Sequence, residues 1–376
     1  MNILHVSPSF YPATAWGGPI FSTKTICDGI AARPDMALRV LTTDAASPTG
    51  PGRVTPVPLP YPVHFARRVA GGSIAPGLFA RLPQAIAWAD VVHLTATYSF
   101  PTLPVLALAR IIGRPLVWSP RGALQATQTW DAAPRKAMKR RFETLAQIIR
   151  PDATVLHVTA PSEARDSVAR LTGIQTACIP NCVTIPALMP QVKTGAARLM
   201  YIGRLHPKKG LERLFDAMAA LPDRVCLDVY GTGDAAYLAG LQAHAVASAG
   251  RIRLHGHVDG FAKTAAFARA DLCVFPSYSE NFGIVVAEAL AHGVPVVTTT
   301  ATPWAALDSM GCGRCVDLDR VSLAQAITVM LQDDLTAMGA AGRAWMARDF
   351  SPDAMTDAFA ALYHRLAQGR AAMVPA

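Results

Sequence analysis

The chain has 376 residues, of which 51% are hydrophobic and 16% charged, and seven are cysteines. That length is enough for two hydrophobic cores, and no uninterrupted apolar run of about 18 residues predicts a transmembrane helix. An odd number of scattered cysteines is typical of reduced thiols in a cytoplasm, and the first residues lack the pattern of a signal peptide. We therefore expect a two-domain cytoplasmic protein.

The positive charge is concentrated in the first half. Residues 1–190 contain 18 Lys and Arg against 9 Asp and Glu, whereas residues 191–376 contain 17 of each kind. Much of the excess falls in residues 135–150, where apolar residues recur at helical spacing: Met138, Phe142, Leu145 and Ile149. An amphipathic helix on an anionic membrane surface and a core-packed helix with a solvated basic face both fit this pattern. Without a nucleic-acid-binding motif, we expect no nucleic-acid partner.

The first elements alternate as strand, loop, helix and strand. Residues 1–6 suit a strand, residues 22–32 a helix and residues 38–43 a second strand. The loop before the helix contains Gly17 and Gly18. Glycine lets a backbone approach a ligand closely, although two successive glycines are also common in plain turns.

From residue 199 onward the pattern is that of a parallel α/β domain. It predicts strands at 199–202, 225–230, 252–254, 271–275 and 296–299, and helices at 212–221, 235–249, 260–268, 282–292 and 351–368. Prolines, a glutamine and a glycine interrupt the apolar pattern between residues 186 and 195. We therefore predict one domain over 1–188, a second over 189–350, and a terminal helical segment over 351–376.

Two glutamates with seven residues between them, Glu280 and Glu288, form the most informative segment. Glu280 follows the predicted strand 271–275 and Glu288 lies in the next helix, so both are near a strand's carboxyl end, where open parallel sheets bind ligands. Asn281 is the predicted N-cap of that helix, whose N-terminus suits a phosphate. A loop charge and a solvated helix residue are the ordinary alternative, but the apolar neighbours of Glu288 argue against it.

This segment resembles the E-x7-E signature of retaining glycosyltransferases of the GT-B fold, in the large group numbered family 4. Residues 201–211 resemble the G-R-L…K-G stretch of that family, and residues 179–183 its I-P-N-G-V segment, with Cys182 in place of the glycine. The Gly17–Gly18 loop resembles its glycine pair. The resemblance covers nearly the whole chain and implies an α/β fold of two Rossmann-like, doubly wound parallel-sheet domains that face each other across a cleft. It also implies that the first domain binds the acceptor, that the second binds the nucleotide-sugar donor, and that the terminal helix crosses back to the N-terminal domain.

The resemblance also implies a function. It predicts transfer of a sugar from a nucleotide-diphosphate sugar, UDP- or GDP-linked, to a hydroxyl acceptor with retention of anomeric configuration. Glu280 would contact the donor sugar, while Arg204 and Lys209 would offset the charge of the leaving diphosphate. The remaining predicted donor-binding residues are Gly17, Gly18, Arg121, Gly231, Asn281, Phe282, Gly283, Ile284, Val285 and, for the ribose, Glu288. No metal and no other cofactor is expected.

Arg121 stands where many members of the family carry a histidine beside the reacting sugar. An arginine stays protonated and is not a general base at neutral pH, so we expect it to bind a phosphate instead. Here and at residues 301–304 the chain resembles a branch that acts in polysaccharide and lipopolysaccharide assembly. That branch implies a lipid-linked saccharide acceptor and a place in the cytoplasm or on the inner face of the cytoplasmic membrane.

Other interpretations of these motifs stay open. A sugar-nucleotide epimerase of the same fold would share them, as would a non-catalytic protein that binds nucleotide sugars or a membrane surface. Residues 229–236 fit a dinucleotide-binding G-x-G-x-x-A pattern, but the acidic residue expected about 20 positions later is missing. Cys312 and Cys315 have CxxC spacing, which without a second pair is a weak indication of zinc.

Overall fold

The structure is a computed structural model that describes residues 1–48, 50–125, 135–191 and 195–371. The chain forms two compact units. The first comprises residues 1–182 together with the segment that begins at Pro352, and the second runs from Val183 to Ser351.

A parallel seven-stranded sheet forms the centre of the first unit. Its strands are β1 (Asn2–Val6), β2 (Ala37–Thr43), β3 (Val63–Ala66), β4 (Val91–Thr95), β5 (Leu116–Ser119), β6 (Thr154–Val158) and β7 (Gln175–Cys178). Their spatial order is β3-β2-β1-β4-β5-β6-β7, so the chain reverses its direction of progress between β1 and β4. Such a reversal opens a crevice at the carboxyl ends of the two strands, which is where this class of sheet binds ligands.

Helices cover both faces of this sheet. Those before the second unit are α1 (Gly18–Ala31), α2 (Pro76–Trp88), α3 (Thr102–Ile112), α4 (Lys136–Ile149) and α5 (Pro161–Arg170). Because successive residues of a strand face opposite sides, Leu4 packs in one apolar cluster with Leu78 of α2, and Ile3 packs in another with Ile26 of α1. Helix α1 begins at Gly18 and not at the predicted residue 22, since Pro19 has a fixed φ that suits a first helical turn.

The second unit is built around a parallel six-stranded sheet. Its strands are β8 (Ala197–Ile202), β9 (Val225–Tyr230), β10 (Ile252–Gly256), β11 (Leu272–Phe275), β12 (Val296–Thr299) and β13 (Gly313–Val316). They are ordered β10-β9-β8-β11-β12-β13, which places the reversal between β8 and β11. Its helices are α6 (Leu211–Ala220), α7 (Ala235–Ala247), α8 (Gly260–Phe267), α9 (Ile284–Ala291), α10 (Leu323–Met330) and α11 (Leu335–Asp349).

Helix α9 corrects the prediction of a helix over 282–292 with Asn281 as its N-cap. The helix begins at Ile284, and its N-cap is Gly283, which has a φ of 73°. That left-handed conformation breaks the helical path, and the Phe282 carbonyl accepts a hydrogen bond from the Trp304 indole N–H at 2.6 Å. At the other end the prediction is confirmed: Gly293 has a φ of 75°, as expected for a glycine just after a helix.

The last helix, α12 (Pro352–Ala371), belongs to the first unit. Its Phe359 packs in the same apolar cluster as Ile3. The units divide after residue 182 and not after the predicted residue 188. The segment after residue 182 is bonded to the second unit, since the Val183 N–H donates to the Phe350 carbonyl at 2.8 Å and the Arg343 guanidinium donates to the Pro186 carbonyl. Among the described residues, none of the helices has both the length and the apolarity needed to cross a membrane.

Candidate active site

In the second unit, the predicted site residues follow the two strands at the reversal of the sheet. Arg204 comes two residues after β8, and Glu280 comes five residues after β11. The buried Tyr201 donates its hydroxyl to the Arg204 carbonyl at 3.0 Å, which fixes the backbone of that loop. The Arg204 guanidinium is exposed and has no hydrogen-bond acceptor among the described residues. It is therefore available to an anionic ligand at this edge.

The structure brings Lys209 and Glu280 together in an ion pair between Nζ and Oε1. Their side chains are 22% and 12% exposed, and the same Oε1 accepts a hydrogen bond from the Ser277 hydroxyl at 3.0 Å. The ammonium also lies 5.3 Å from the centre of the Phe275 ring. Because the charges of Lys209 and Glu280 offset each other, Arg204 is the predicted site residue of the second unit whose positive charge no described residue compensates. The contribution of Ser277 was missed from the sequence, since a serine after a strand has no distinctive pattern.

Lys209 reaches Glu280 because its turn is bonded to the loop after β11. Residues 207–209 form a single 3-10 turn. The carbonyl of Lys208 accepts hydrogen bonds from the Tyr278 backbone at 2.9 Å and from the Ser277 hydroxyl at 3.1 Å. These two hydrogen bonds to the Lys208 carbonyl connect the segments after β8 and after β11, and they hold Lys209 and Glu280 close to each other.

Gly231 lies in the loop after β9, against the loop that carries Arg204. A Cβ at this position would lie 1.8 Å from the Gly203 carbonyl oxygen. The two loops approach so closely that any side chain at residue 231 would separate them. The structure therefore gives Gly231 a packing role, while its predicted contact with the donor stays a prediction.

The N-terminal end of α9 presents unused backbone donors. No acceptor among the described residues bonds the N–H groups of Phe282, Gly283, Ile284 or Val285. Trp304, whose indole fixes the Phe282 carbonyl, also packs its ring 5.3 Å from the Phe282 ring. These N–H groups carry the partial positive charge of the helix terminus and suit an anionic group.

Glu288 lies in the second turn of α9 and pairs with a residue that the sequence did not indicate. Its Oε1 is 2.6 Å from Nζ of Lys263 on α8, and the two side chains are 22% and 26% exposed. The pair fixes the orientation of the carboxylate and leaves it partly open to solvent. A lysine one helix earlier could not be assigned to Glu288 without the packing of α8 against the sheet.

In the first unit, a cavity of about 270 Å³ opens at the reversal between β1 and β4. It is lined by residues just after these strands, by the start of α1 and by the segment after β5, including Ser7, Ile20, Thr23, Thr97, Tyr98 and Arg121. Gly17, with a φ of 83°, is the N-cap of α1, and a Cβ at Gly17 or Gly18 would meet no heavy atom within 4 Å. Both glycines thus leave open space beside the helix start.

Arg121 lines this cavity from the loop after β5, where it has a φ of 55°. Its Nη1 donates to the Asn181 side-chain oxygen at 3.1 Å, whereas Nε and Nη2 are buried and have no acceptor among the described residues. Burial lowers the pKa of Arg121, and the charge of Glu163 opposes that shift. An arginine remains cationic despite such a shift.

Beneath Arg121 runs a chain of buried polar side chains that the sequence did not predict. His93 Nδ1 is 2.6 Å from the Tyr363 hydroxyl and its Nε2 is 2.7 Å from Ser119 Oγ. Ser119 Oγ is 2.6 Å from His157 Nδ1, and His157 Nε2 is 2.9 Å from the Ile179 carbonyl oxygen. Burial lowers the pKa of His157 to about 3 and that of His93 well below its usual value, so both rings are neutral.

Neutral rings fix the direction of every hydrogen bond in this chain. The Ile179 carbonyl only accepts, so His157 carries its proton on Nε2 and accepts at Nδ1 from Ser119. Ser119 then accepts from His93 Nε2, and His93 Nδ1 accepts from Tyr363. These contacts give His93 a structural role, and they connect α12, β4, β5 and β6 to the segment after β7.

Helix α4 only partly follows the predicted apolar stripe. Phe142 and Ile149 pack against the core, and Glu143 is buried, where it bonds Tyr98 and Arg170. Met138 and Leu145 are instead exposed, together with Ile148. The helix therefore has a packed face and, separately, an exposed face that contains apolar and basic residues.

Comparisons with known proteins agree with this architecture. Residues 196–333 match the family model described as glycosyl transferases group 1. A glycogen synthase of Mycobacterium tuberculosis is 28% identical over 297 residues, which cover 73% of this chain and 68% of that protein. A phosphatidyl-myo-inositol mannosyltransferase of Mycobacterium leprae is 28% identical over 296 residues, or 74% of this chain and 73% of that protein.

Solved structures show the same fold. Anabaena Alr3699/HepE in complex with UDP matches with a TM-score of 0.71 and 17% identity, covering 97% of this chain and 100% of that chain. WaaG, a glycosyltransferase involved in lipopolysaccharide biosynthesis, matches with a TM-score of 0.65 and 17% identity over 95% of this chain and 98% of that chain. The predicted fold class, GT-B with two parallel-sheet α/β domains, is confirmed.

Proposed function

We propose that this chain, a glycosyltransferase of the GT-B fold whose residues 196–333 form a group 1 glycosyltransferase domain, moves a sugar from a UDP- or GDP-linked donor to a hydroxyl acceptor. The observation that carries the proposal is the grouping of Arg204, the Lys209–Glu280 pair and the free N–H groups of α9 at one edge of the second sheet. HepE structures with UDP and with UDP-glucose support a nucleotide-sugar donor.

In this proposal the second unit stabilises the leaving group. Breaking the bond between the sugar and the diphosphate increases the negative charge on the diphosphate, and fixed donors aimed at that charge lower the barrier. Arg204 and the N–H groups before and within the first turn of α9 would supply such donors. Lys209 would turn from Glu280 to the diphosphate, which frees the Glu280 carboxylate to bind a hydroxyl of the donor sugar. We propose that these groups act without a divalent metal and that transfer retains the anomeric configuration.

Glu288 would bind the nucleoside. Its Oε1 is held by Lys263, so the second carboxylate oxygen can accept hydrogen bonds from the ribose hydroxyls. Lys263 in this view orients the carboxylate. The Lys263–Glu288 contact would also be expected of an ion pair that only connects α8 and α9. In the first role the loss of Glu288 weakens nucleotide binding, whereas in the second it does not.

We propose a lipid-linked saccharide of cell-envelope polysaccharide assembly as the acceptor, reached from the inner face of the cytoplasmic membrane. The exposed face of α4 supports this proposal, since Met138, Leu145 and Ile148 are 56%, 44% and 64% exposed beside the exposed Arg140 and Arg141. Apolar side chains enter the boundary of a bilayer while neighbouring cations attract anionic lipids. The similarity to WaaG, which is involved in lipopolysaccharide biosynthesis, and to a phosphatidyl-myo-inositol mannosyltransferase also favours such an acceptor.

The donor site is tested by a thermal-shift screen against UDP, GDP and their sugars, followed by kinetics of the Arg204→Gln variant. The preferred nucleotide should raise the melting temperature, because it binds only the folded chain. Arg204→Gln should lower kcat/KM about a hundredfold or more, whereas Arg224→Gln, at an exposed position of the same unit, should have little effect. Near-normal turnover of Arg204→Gln would refute the leaving-group role.

Two further measurements separate the alternatives. Glu288→Ala should weaken binding of the free nucleoside diphosphate in calorimetry if the carboxylate binds ribose, and unchanged affinity would leave only the ion-pair role. Product analysis with the donor alone identifies an epimerase, which converts the donor without an acceptor. NMR of the product formed with an acceptor reports its anomeric configuration, and inversion would contradict retention.

A further inference from the structure

The cavity of the first unit contains several buried polar groups without partners. Nε and Nη2 of Arg121, Oγ1 of Thr23 and Oγ1 of Thr97 are all buried, and none has a hydrogen-bond partner among the described residues. All three residues line the same cavity. Buried polar groups are almost always paired in folded proteins, so three such residues facing one space indicate that a polar ligand completes their hydrogen bonds.

The unpaired edge of Arg121 has a specific shape. Nε and Nη2 carry two roughly parallel N–H bonds on one side of the guanidinium, which is the arrangement that pairs with two oxygens of a carboxylate or phosphate. The opposite side is already used, since Nη1 donates to Asn181 at 3.1 Å. Asn181 thus holds the guanidinium in place while the oxyanion-binding side remains unpaired.

The charge of the cavity also favours an anion. Its lining residues include no aspartate or glutamate in the part of the chain that the structure describes. Glu163 is the buried carboxylate whose charge acts on Arg121, but its oxygens already accept from the backbone of Gly122 and from the backbone and hydroxyl of Thr159. Glu163 therefore does not supply the missing acceptor.

The backbone that lines the cavity has unusual conformations at two residues. Ala96 and Arg121 have φ values of 80° and 55°, which are unusual for residues other than glycine, and both line the cavity. Such conformations persist where the surrounding structure requires them, and they concentrate at binding sites. The buried chain of hydrogen bonds that begins at Tyr363 ends at the carbonyl of Ile179. Ile179 lies two residues before Asn181, so this chain also helps to position the Asn181 side chain that accepts from Arg121.

We infer that this cavity is an oxyanion site in which the Nε and Nη2 groups of Arg121 bind two oxygens of a phosphate or carboxylate, with Thr23 and Thr97 donating to the same ligand. That the oxyanion belongs to a substrate rests on the proposed function. Its two possible sources are an anionic group of the acceptor and the diphosphate of the donor.

Calorimetric titration of the full chain with inorganic phosphate tests the site. Arg121→Gln should weaken phosphate binding about ten- to a hundredfold, because a charge-assisted two-point contact is lost. Arg121→Lys should retain part of the affinity. Arg67→Gln, which removes an exposed arginine of the same unit, should bind phosphate as the wild type does. If neither substitution at residue 121 changes the affinity for phosphate, the inference is overturned. If the glutamine variant fails to fold, the phosphate affinity of the lysine variant alone tests the inference.

Repeating the titration with saturating UDP or GDP identifies the source of the oxyanion. Phosphate binding that persists and still depends on Arg121 assigns the site to an anionic acceptor. Phosphate binding that is lost, together with weaker nucleoside diphosphate binding by Arg121→Gln, assigns it to the donor diphosphate. The Arg204→Gln variant, titrated with nucleoside diphosphate alone, tests the proposed function separately, so either idea can fail while the other holds.

Discussion

Replacing Glu280 by glutamine should change ligand binding and turnover in opposite directions. Glutamine keeps the shape of the side chain and can still accept from Ser277, but it removes the charge that offsets Lys209 in the ion pair. Once Lys209 has turned to the diphosphate, the diphosphate oxygen that contacts Nζ would lie roughly 6 Å from the Glu280 carboxylate oxygen, or about two hydrogen-bond lengths. At an effective dielectric constant of about 20, their repulsion is about 3 kcal/mol.

Solvent reduces this repulsion. The lysine and glutamate side chains are 22% and 12% exposed, and physiological salt screens charges at partly exposed sites, so about 1 kcal/mol of it should be measurable. Glu280→Gln should therefore tighten binding of the free nucleoside diphosphate about fivefold. Turnover of the intact donor should nevertheless fall about a hundredfold, since the carboxylate is lost from the transition state.

Calorimetry with the nucleoside diphosphate and steady-state kinetics with the donor measure the two effects. Asp216→Asn, which neutralises an exposed carboxylate on α6, is the matched control and should alter neither. Weaker nucleoside diphosphate binding by Glu280→Gln would refute the view that Glu280 competes with the diphosphate for Lys209. Normal turnover would refute its contact with the donor sugar.

Three further predictions concern stability and membrane binding. In denaturant titrations, Gly231→Ala should lower the free energy of unfolding by about 3 kcal/mol or more, because the new Cβ clashes with the Gly203 carbonyl. Gly240→Ala on α7 is the control: its Cβ would meet no atom within 4 Å, and it should raise the free energy of unfolding by about 0.5–1 kcal/mol. Burial lowers the pKa of His5, His93 and His157, so the unfolded chain binds more protons below about pH 6.5, and stability should fall as the pH falls. Each histidine should cost about 1.4 kcal/mol per pH unit, and equal stability at pH 7.5 and 5.5 would contradict their neutral burial. Replacing both exposed arginines of α4 by glutamine should weaken binding to anionic vesicles by about tenfold or more, and unchanged binding would favour a helix that serves only the core.

Local sequence patterns predicted most of the elements of the fold. The strand from Val225 to Tyr230 and the strand from Val296 to Thr299 have the predicted bounds, because short β-branched runs between breakers specify strands locally. The predicted start of α9 was wrong because of a contact between distant residues. The indole N–H of Trp304, more than twenty residues later in the chain, donates a hydrogen bond to the Phe282 carbonyl. A contact of that kind has no local signal.

The candidate site shows the same division. The spacing of Glu280 and Glu288 and the cations Arg204 and Lys209 are visible in the sequence, and they indicated a nucleotide-sugar site through a family resemblance. The sequence did not indicate that Lys209 pairs with Glu280 or that Lys263 pairs with Glu288. Each partner comes from a different βα unit, so the packing of the sheet brings them together.

The sequence by itself determined the class of fold, the order of its strands and helices along the chain, and the residue types that the chemistry needs, because these depend on local periodicity and on short motifs. The tertiary structure alone decided which charges are compensated and which remain free. Arg121 illustrates the difference. In the sequence, Arg121 replaces the histidine of many family members. In the fold it is a partly buried cation whose Nη1 donates to Asn181, while its buried Nε and Nη2 have no acceptor among the described residues. Burial and hydrogen-bond satisfaction depend on residues far apart in the chain, and only folding brings them within reach of one another.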